Sequence, residues 1–250
     1  MIKLGYIRRL LPVLALAAAG AGAQGPVQGE RWLVSTSEHG DMDRLTLFGQ
    51  WLRLIQDLAG QAKLKSEVYF SRDSTADLFA SRGGTVAVIA GPGHIIGSAL
   101  RHGQYLPVAA SDRQQQVVLA TLVRSGIASF AEAKGHSLGL TSQDAIATYL
   151  MRGEANAAGS SLKQHFSLIY YTNEEEALLN ALKFGTTDLV AVDEDLFRRW
   201  QAAGEPVRAV MKTRPAPGFG LVAHKSLGRA AVRALQEALA DGAEIGRAHV

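Results

Sequence analysis

The sequence predicts an α/β fold in which mostly parallel sheets are flanked by helices. Short apolar runs of strand length alternate with helical stripes, a pattern typical of parallel sheets covered on both faces. One run, residues 85–90, is wholly apolar after its first residue, as expected of a strand buried on both faces. With 250 residues, 47% of them hydrophobic, the chain is long enough for one large domain or for two lobes of roughly 100 residues each.

The first part of the chain predicts four strands and three helices. Residues 45–62 are helical because apolar side chains recur every three or four positions, and the helix at 74–82 begins at Ser74, a favourable N-cap. A third helix covers residues 95–101. The strands are residues 32–34, 67–70, 85–90 and 105–110.

The second part begins with a polar segment, residues 112–116, which we interpret as a crossover between lobes. The strands that follow are residues 116–123, 137–140, 167–171, 188–192, 207–212 and 220–223. The helices are residues 129–134, 144–152, 173–183, 194–203 and 226–240, with a polar loop at 153–161. Asn173 is the expected N-cap of its helix, because three glutamates follow it where the helix dipole favours negative charge.

Both ends of the chain are set apart from the fold. Three basic residues precede the apolar stretch 10–19, and Ala21-Gly22-Ala23 has the small residues of a cleavage site, so residues 1–23 are predicted to be a secretory signal peptide. This predicts a mature start at Gln24 and a periplasmic location. Residues 244–250 have no helical stripe and read like a translated sequencing adapter, so we interpret them as a non-native tail.

Charge and cysteine content exclude several classes of function. Without residues 1–23, the chain holds 23 basic and 23 acidic residues, and this balance argues against nucleic acid as a partner. The chain contains no cysteine, which excludes thiol catalysis and thiolate metal sites.

Candidate ligand-binding residues follow the predicted strands. Ligands of open α/β sheets bind beyond the carboxyl ends of the strands, where glycine permits close approach and helix N-termini offer free amides. The candidates are Ser35, Ser37, Gly91, Pro92, Gly93, His94, Thr141, Ser142, Gln143, Tyr171 and Asp193. Two simpler interpretations stay open: residues 91–94 as a tight turn without a ligand, and Asp144 as a helix cap.

Two kinds of chemistry have weaker support in the sequence. Residues 135–139 match G-x-S-x-G, with Asp193 and His224 following in the order of a serine hydrolase, but Ser137 opens a strand instead of a strand-to-helix elbow. A metal held by His39 and His94 with Glu38 or Asp41 is an alternative, although the histidines have no ligand-spaced motif. We therefore expect no catalytic residue, no metal and no cofactor.

Several segments together resemble one protein family. After residues 85–90 come Gly91-Pro92 and a helix, then segments 103–110, 122–127, 130–135 and 177–188, and the proline-rich stretch 215–219. In this order they resemble the phosphate/phosphite/phosphonate-type periplasmic binding proteins, over residues 31–240 and more weakly before residue 85.

The resemblance implies a two-lobed type II periplasmic-binding-protein fold with a hinge. Lobe one would comprise residues 24–110 plus 206–243, and lobe two residues 111–205. It also implies a monomeric protein, not an enzyme, that presents a small polar or anionic ligand to ABC transporter membrane subunits. A protein of the same fold that senses its ligand for a membrane kinase is the alternative.

One departure from the family concerns the ligand. The family's phosphonate binders carry a Ser-Thr-Ser-Gly-like run at the start of the helix near Asp144, whereas residues 145–148 here are Ala-Ile-Ala-Thr. Most of the hydroxyl donors are absent, so we expect a ligand that is neutral, singly charged or zwitterionic instead of a doubly charged phosphonate.

Overall fold

The computed structural model describes residues 28–36, 44–172 and 174–241. It confirms the predicted alternation of strands and helices. The strands are β1 Gln28–Ser35, β2 Glu67–Ser71, β3 Val86–Pro92, β4 Tyr105–Ala110, β5 Gln114–Gln115, β6 Val117–Leu122, β7 Ser137–Leu140, β8 Leu168–Tyr171, β9 Leu189–Asp193, β10 Val207–Lys212, β11 Ala216–Pro217 and β12 Phe219–His224. The helices are α1 Arg44–Gln61, α2 Ser74–Gly83, α3 Gly93–Arg101, α4 Ile146–Ala157, α5 Leu162–His165, α6 Glu175–Lys183, α7 Glu194–Ala202 and α8 Gly228–Asp241.

The first sheet has the strand order β2-β1-β3-β12-β4 and forms lobe one together with the helices packed on it. Strand β1 pairs in parallel with β2 and β3, whereas β12 runs antiparallel to both β3 and β4. Successive side chains of β1 point to opposite faces, so Trp32 packs in the core beneath α1 and α8 while Leu33 packs beneath α2 and α3. This explains why residues 32–34 form an uninterrupted apolar run.

The second sheet repeats this arrangement and forms lobe two. Its strand order is β10-β6-β9-β7-β8, with parallel pairing of β7 to β8 and β9 and antiparallel pairing of β6 to β9 and β10. Along β9, Leu189 and Ala191 pack against α4, and Val190 and Val192 pack against α6 and α7. Each sheet is therefore mixed, with half of its pairings parallel.

A short antiparallel ladder joins the lobes. Strands β5 and β11 lie in the two segments that cross between the sheets, and they pair through Gln115 with Ala216 and Gln114 with Pro217. Nearby, the Thr213 amide donates to the Val117 carbonyl at 2.9 Å, which anchors the returning crossover to lobe two. We call β5 and β11 the hinge.

The structure corrects the predicted lobe boundary at residue 206. Strand β10 was expected in lobe one, but it pairs with β6 in the second sheet, and Val207 is buried in the core of lobe two. The apolar pattern of a strand does not specify its partner strand. The sequence prediction therefore placed the crossover back to lobe one before β10, whereas the chain crosses after it. The chain returns to lobe one only at β11 and β12.

Three further differences are local. Residues 129–134 form turns instead of a helix, and α4 continues through Ala157 into the segment predicted as a loop. Helix α5 was not predicted, because its single turn is too short to show a periodic pattern. The predicted N-cap Asn173 lies outside the described residues.

Within residues 28–36, 44–172 and 174–241, no helix is long and apolar enough to cross a membrane.

Candidate ligand-binding site

Two of the loops predicted to face a common cleft do meet between the lobes. The Thr75 hydroxyl, in the first turn of α2, donates to the Asp144 carboxylate at 2.6 Å. The His94 ring, in the first turn of α3, stacks on Tyr149 of α4 with ring centroids 5.2 Å apart. The interface between the lobes, which we call the cleft, is thus formed by the N-terminal ends of two helices from lobe one and one helix from lobe two.

His94 is the most unusual group in this cleft. Both of its ring nitrogens are buried, and neither makes a well-formed hydrogen bond among the described residues, although the backbone of Asp144 lies close enough to act on the ring. Burial lowers the pKa of His94 to about 4, although the backbone and the carboxylate of Asp144 act in the opposite direction. The ring is therefore uncharged near neutral pH and can offer a ligand one donor and one acceptor, but no positive charge.

The glycines next to His94 have packing roles that the sequence left open. A Cβ atom on Gly93 would lie 2.1 Å from the Pro217 carbonyl oxygen of the hinge, and a Cβ atom on Gly91 would lie 3.0 Å from Cβ of Ser35. The Gly93 amide donates to the Gly218 carbonyl at 3.2 Å, so the hinge already occupies this helix-terminal donor. Gly91 and Pro92 themselves are the last residues of β3.

The loop from lobe two is arranged by its own backbone contacts. Thr141 and Ser142 are half-buried, and Gln143 is exposed. The Ser142 carbonyl accepts a hydrogen bond from the Thr148 hydroxyl at 2.5 Å, and the Gln143 carbonyl accepts one from Arg152 at 3.2 Å. The one hydroxyl that remains in the run at residues 145–148 is therefore turned back into the loop.

Asp144 does not cap α4, contrary to the simpler interpretation. The N-cap position is Ala145, which has no side chain able to cap, and Asp144 reaches across the cleft to Thr75 instead. An acidic side chain therefore lies beside the start of α4 at the lobe interface.

A buried carboxyl group in lobe one was missed by sequence reasoning. Asp77 of α2 is only 2% exposed, and its Oδ2 atom has no hydrogen-bond partner among the described residues. Burial raises the pKa of Asp77, opposed by hydrogen bonds with the side chains of Ser35 and Ser71. Ser35, a predicted ligand residue, is fully buried in this contact. The one available signal was an acidic residue beside Leu78 on the apolar stripe of a short helix.

Of the remaining predicted residues, Asp193 and Tyr171 have other surroundings, and Ser37 lies outside the described residues. Asp193 acts as the N-cap of α7, where its side chain accepts from the Asp195 amide at 2.8 Å. Tyr171 ends the edge strand β8 and is 39% exposed.

The surroundings of Ser137 do not form a hydrolase triad. Its hydroxyl donates to the Asp188 carboxylate at 2.7 Å, and its amide donates to the same oxygen at 2.9 Å. His136 also approaches this carboxylate, at 3.5 Å, and the Ser137 hydroxyl donates to Asp188 instead of to an imidazole. Burial acts to raise the pKa of Asp188, but the bonds from Ser137 and the nearby His136 outweigh it, and the pKa is lowered. These hydrogen bonds hold Ser137, the first residue of β7, against Asp188, which directly precedes β9. Ser137 is half-buried.

The described residues do not include a group of three side chains placed to hold a metal ion. His39, Glu38 and Asp41, named above as possible partners of His94, lie outside them.

Two five-stranded mixed sheets, joined by a two-strand hinge and meeting at the ends of their strands, define the type II periplasmic-binding-protein fold. Solved structures show the same fold: XAC2383 from Xanthomonas citri bound to ATP has a TM-score of 0.69 at 15% identity and covers 86% of this chain and 84% of its own. PhnD1 from Prochlorococcus marinus in complex with methylphosphonate has a TM-score of 0.59 at 13% identity, with 84% and 83% covered. The periplasmic aliphatic sulphonate binding protein SsuA from Escherichia coli has a TM-score of 0.60 at 15% identity, with 87% and 72% covered.

The family follows from the sequence itself. A family model described as "ABC transporter, phosphonate, periplasmic substrate-binding protein" matches residues 41–247. The chain therefore belongs to this family of periplasmic substrate-binding proteins of ABC transporters. No curated protein matches the sequence.

Proposed function

We propose that this chain presents a small polar solute to the membrane subunits of an ABC transporter and holds that solute in the cleft at His94. The observation that supports this most is the pair of buried ring nitrogens that lack a well-formed hydrogen bond, at the point where the two lobes meet. A buried polar group without a partner costs about 1–3 kcal/mol. A ligand that hydrogen-bonds to the ring would remove that cost and would stabilise the closed cleft over an open one.

The ligand is neutral, singly charged or zwitterionic. His94 is uncharged near neutral pH because its pKa is about 4, so it does not supply a counter-charge to a dianion. The Asp144 carboxylate borders the same cleft and repels a second negative charge. Ala145, at the N-cap position of α4, offers no hydroxyl group to an anion, and the Thr148 hydroxyl donates to the Ser142 carbonyl.

Calorimetry with methylphosphonate, phosphite and phosphate tests this ligand class. Loss of two charge-assisted hydrogen bonds of roughly 1.5–3 kcal/mol each weakens affinity about a hundredfold or more, so we expect no submicromolar binding of these anions. Submicromolar binding of any of the three would contradict the proposal.

Two variants sharpen this experiment. The double substitution Ala145→Ser with Ala147→Ser restores hydroxyl groups at the start of α4 and should improve methylphosphonate binding. Asp144→Asn removes the negative charge but keeps an oxygen for the Thr75 hydroxyl, so it should also improve anion binding while the lobe contact is retained. Ala157→Ser adds a hydroxyl at the exposed opposite end of α4 and serves as the matched control.

A further inference from the structure

A second concave surface lies on the opposite edge of lobe two from the cleft. It is an open groove of about 370 Å³ lined by Leu122, Val123, Arg124, Lys183 and Pro206, which we call the outer groove. Strand β6 runs antiparallel to β9 and ends beside the start of β9, whereas the loop at residues 141–144 follows the end of β7, which is parallel to β9. The outer groove is therefore separated from the cleft by the length of the sheet.

The outer groove exposes an unusual amount of apolar surface. Val123 is 59% exposed within the groove, and Phe184, which follows Lys183 in the chain but does not line the groove, is 84% exposed, more than any other large hydrophobic residue of the described part. Apolar surface left in water costs about 25 cal/mol per Å² relative to its burial. Adjacent exposed apolar residues with a polar rim are typical of a site that binds something.

The charge of the groove indicates what it binds. Lys183 is paired with Glu205 at 2.5 Å, so its charge is balanced. Arg124 donates to the Lys183 carbonyl at 3.5 Å, and within the described residues no carboxylate forms an ion pair with it. One uncompensated positive charge therefore borders the apolar walls. A second copy of the chain docked symmetrically here would bring Arg124 towards its own counterpart, which disfavours self-association at this surface.

We propose that the outer groove binds a small amphipathic anion, with an apolar body and one anionic group. The body would cover Leu122, Val123 and Pro206, and the anionic group would pair with the Arg124 guanidinium, whose planar fork suits carboxylates and related oxyanions. The volume of about 370 Å³ falls within the range of roughly 300–1,000 Å³ that is usual for small-molecule sites. This site is independent of the ligand in the cleft.

Fluorescence titration with 8-anilinonaphthalene-1-sulfonate tests the proposal, with N-phenyl-1-naphthylamine as the uncharged analogue. The full chain should bind the sulfonate at one saturable site. Arg124→Glu should weaken the sulfonate about tenfold or more and leave the uncharged analogue unchanged, because it removes one charge-assisted hydrogen bond. Val123→Ser should weaken both probes, because it removes apolar contact.

Phe79→Ser provides the matched control. Phe79 is 70% exposed on α2 of lobe one, so its loss removes at least as much apolar surface as Val123→Ser, away from the outer groove, and should leave both probes unaffected. The altered side chains are exposed, and equal melting temperatures would establish that the variants fold. Equal sulfonate affinity in the wild type and Arg124→Glu would overturn the proposal. So would a dimer, seen by sedimentation, that Val123→Ser dissociates, because the groove would then be covered by a second copy.

Discussion

The cleft should lose stability as the pH falls from about 6.5 to about 4, and His94 should be the main cause. Its pKa is about 4 in the closed protein because the ring is buried, against an ordinary value of 6.5. The open and unfolded states bind the proton more readily, so stability is fully present above pH 6.5 and is lost progressively down to pH 4. At about 1.4 kcal/mol per pKa unit, the loss is at most about 3 kcal/mol.

Thermal melting and solution scattering between pH 7 and pH 4 measure this loss. His94→Phe keeps an aromatic ring on Tyr149 but does not titrate, so its stability should change less over this range. Burial also lowers the pKa of His224, which contributes with the same sign, so His224→Asn is included in both backgrounds. Identical pH profiles with and without His94 would refute the assignment.

Gly93→Ala should destabilise the protein and alter the hinge. The added Cβ would lie 2.1 Å from the Pro217 carbonyl oxygen, and a backbone atom has little freedom to move away. Overpacking of this kind costs roughly 1–3 kcal/mol. Relief of the clash also requires α3 to move away from β11, which would lengthen the bond from the Gly93 amide to the Gly218 carbonyl. Chemical denaturation measures the stability, and scattering measures the separation of the lobes.

Gly97→Ala is the matched control in the same helix. No atom lies within 4 Å of a Cβ built on Gly97, so alanine fits and should stabilise α3 by roughly 0.5–1 kcal/mol through its higher helix propensity. The two substitutions should therefore have opposite signs. If Gly93→Ala were also neutral or stabilising, the close approach of helix and hinge would be refuted.

Much of the fold follows from periodicity alone. The core strand β3 and the helix α1 were predicted to within two residues because their apolar patterns extend over many positions. The partner of β10 was not predictable, because strand pairing depends on which sheet is completed after the chain crosses the hinge. The hinge strands β5 and β11 have two residues each and carry no pattern of their own.

The candidate site, like the fold, could be predicted only in part. The approach of residues 91–94 to residues 141–144 followed from their positions at strand ends, because such loops lie at the same edge of each sheet. The roles of single side chains did not follow. Gly93 could equally approach a ligand or the hinge, and Asp144 could cap a helix or cross the cleft, and only the three-dimensional contacts separate these alternatives. Asp77 was missed because its neighbours Ser35 and Ser71 are distant in sequence.

The central claim is that one small molecule occupies the cleft at His94. Native mass spectrometry of the chain recovered from the periplasm tests it most directly. The account predicts one bound molecule per chain in the wild type, its loss in His94→Ala, and its retention in Arg124→Glu, which alters only the outer groove. A wild-type chain without a bound molecule, or a molecule retained in His94→Ala, would contradict the account.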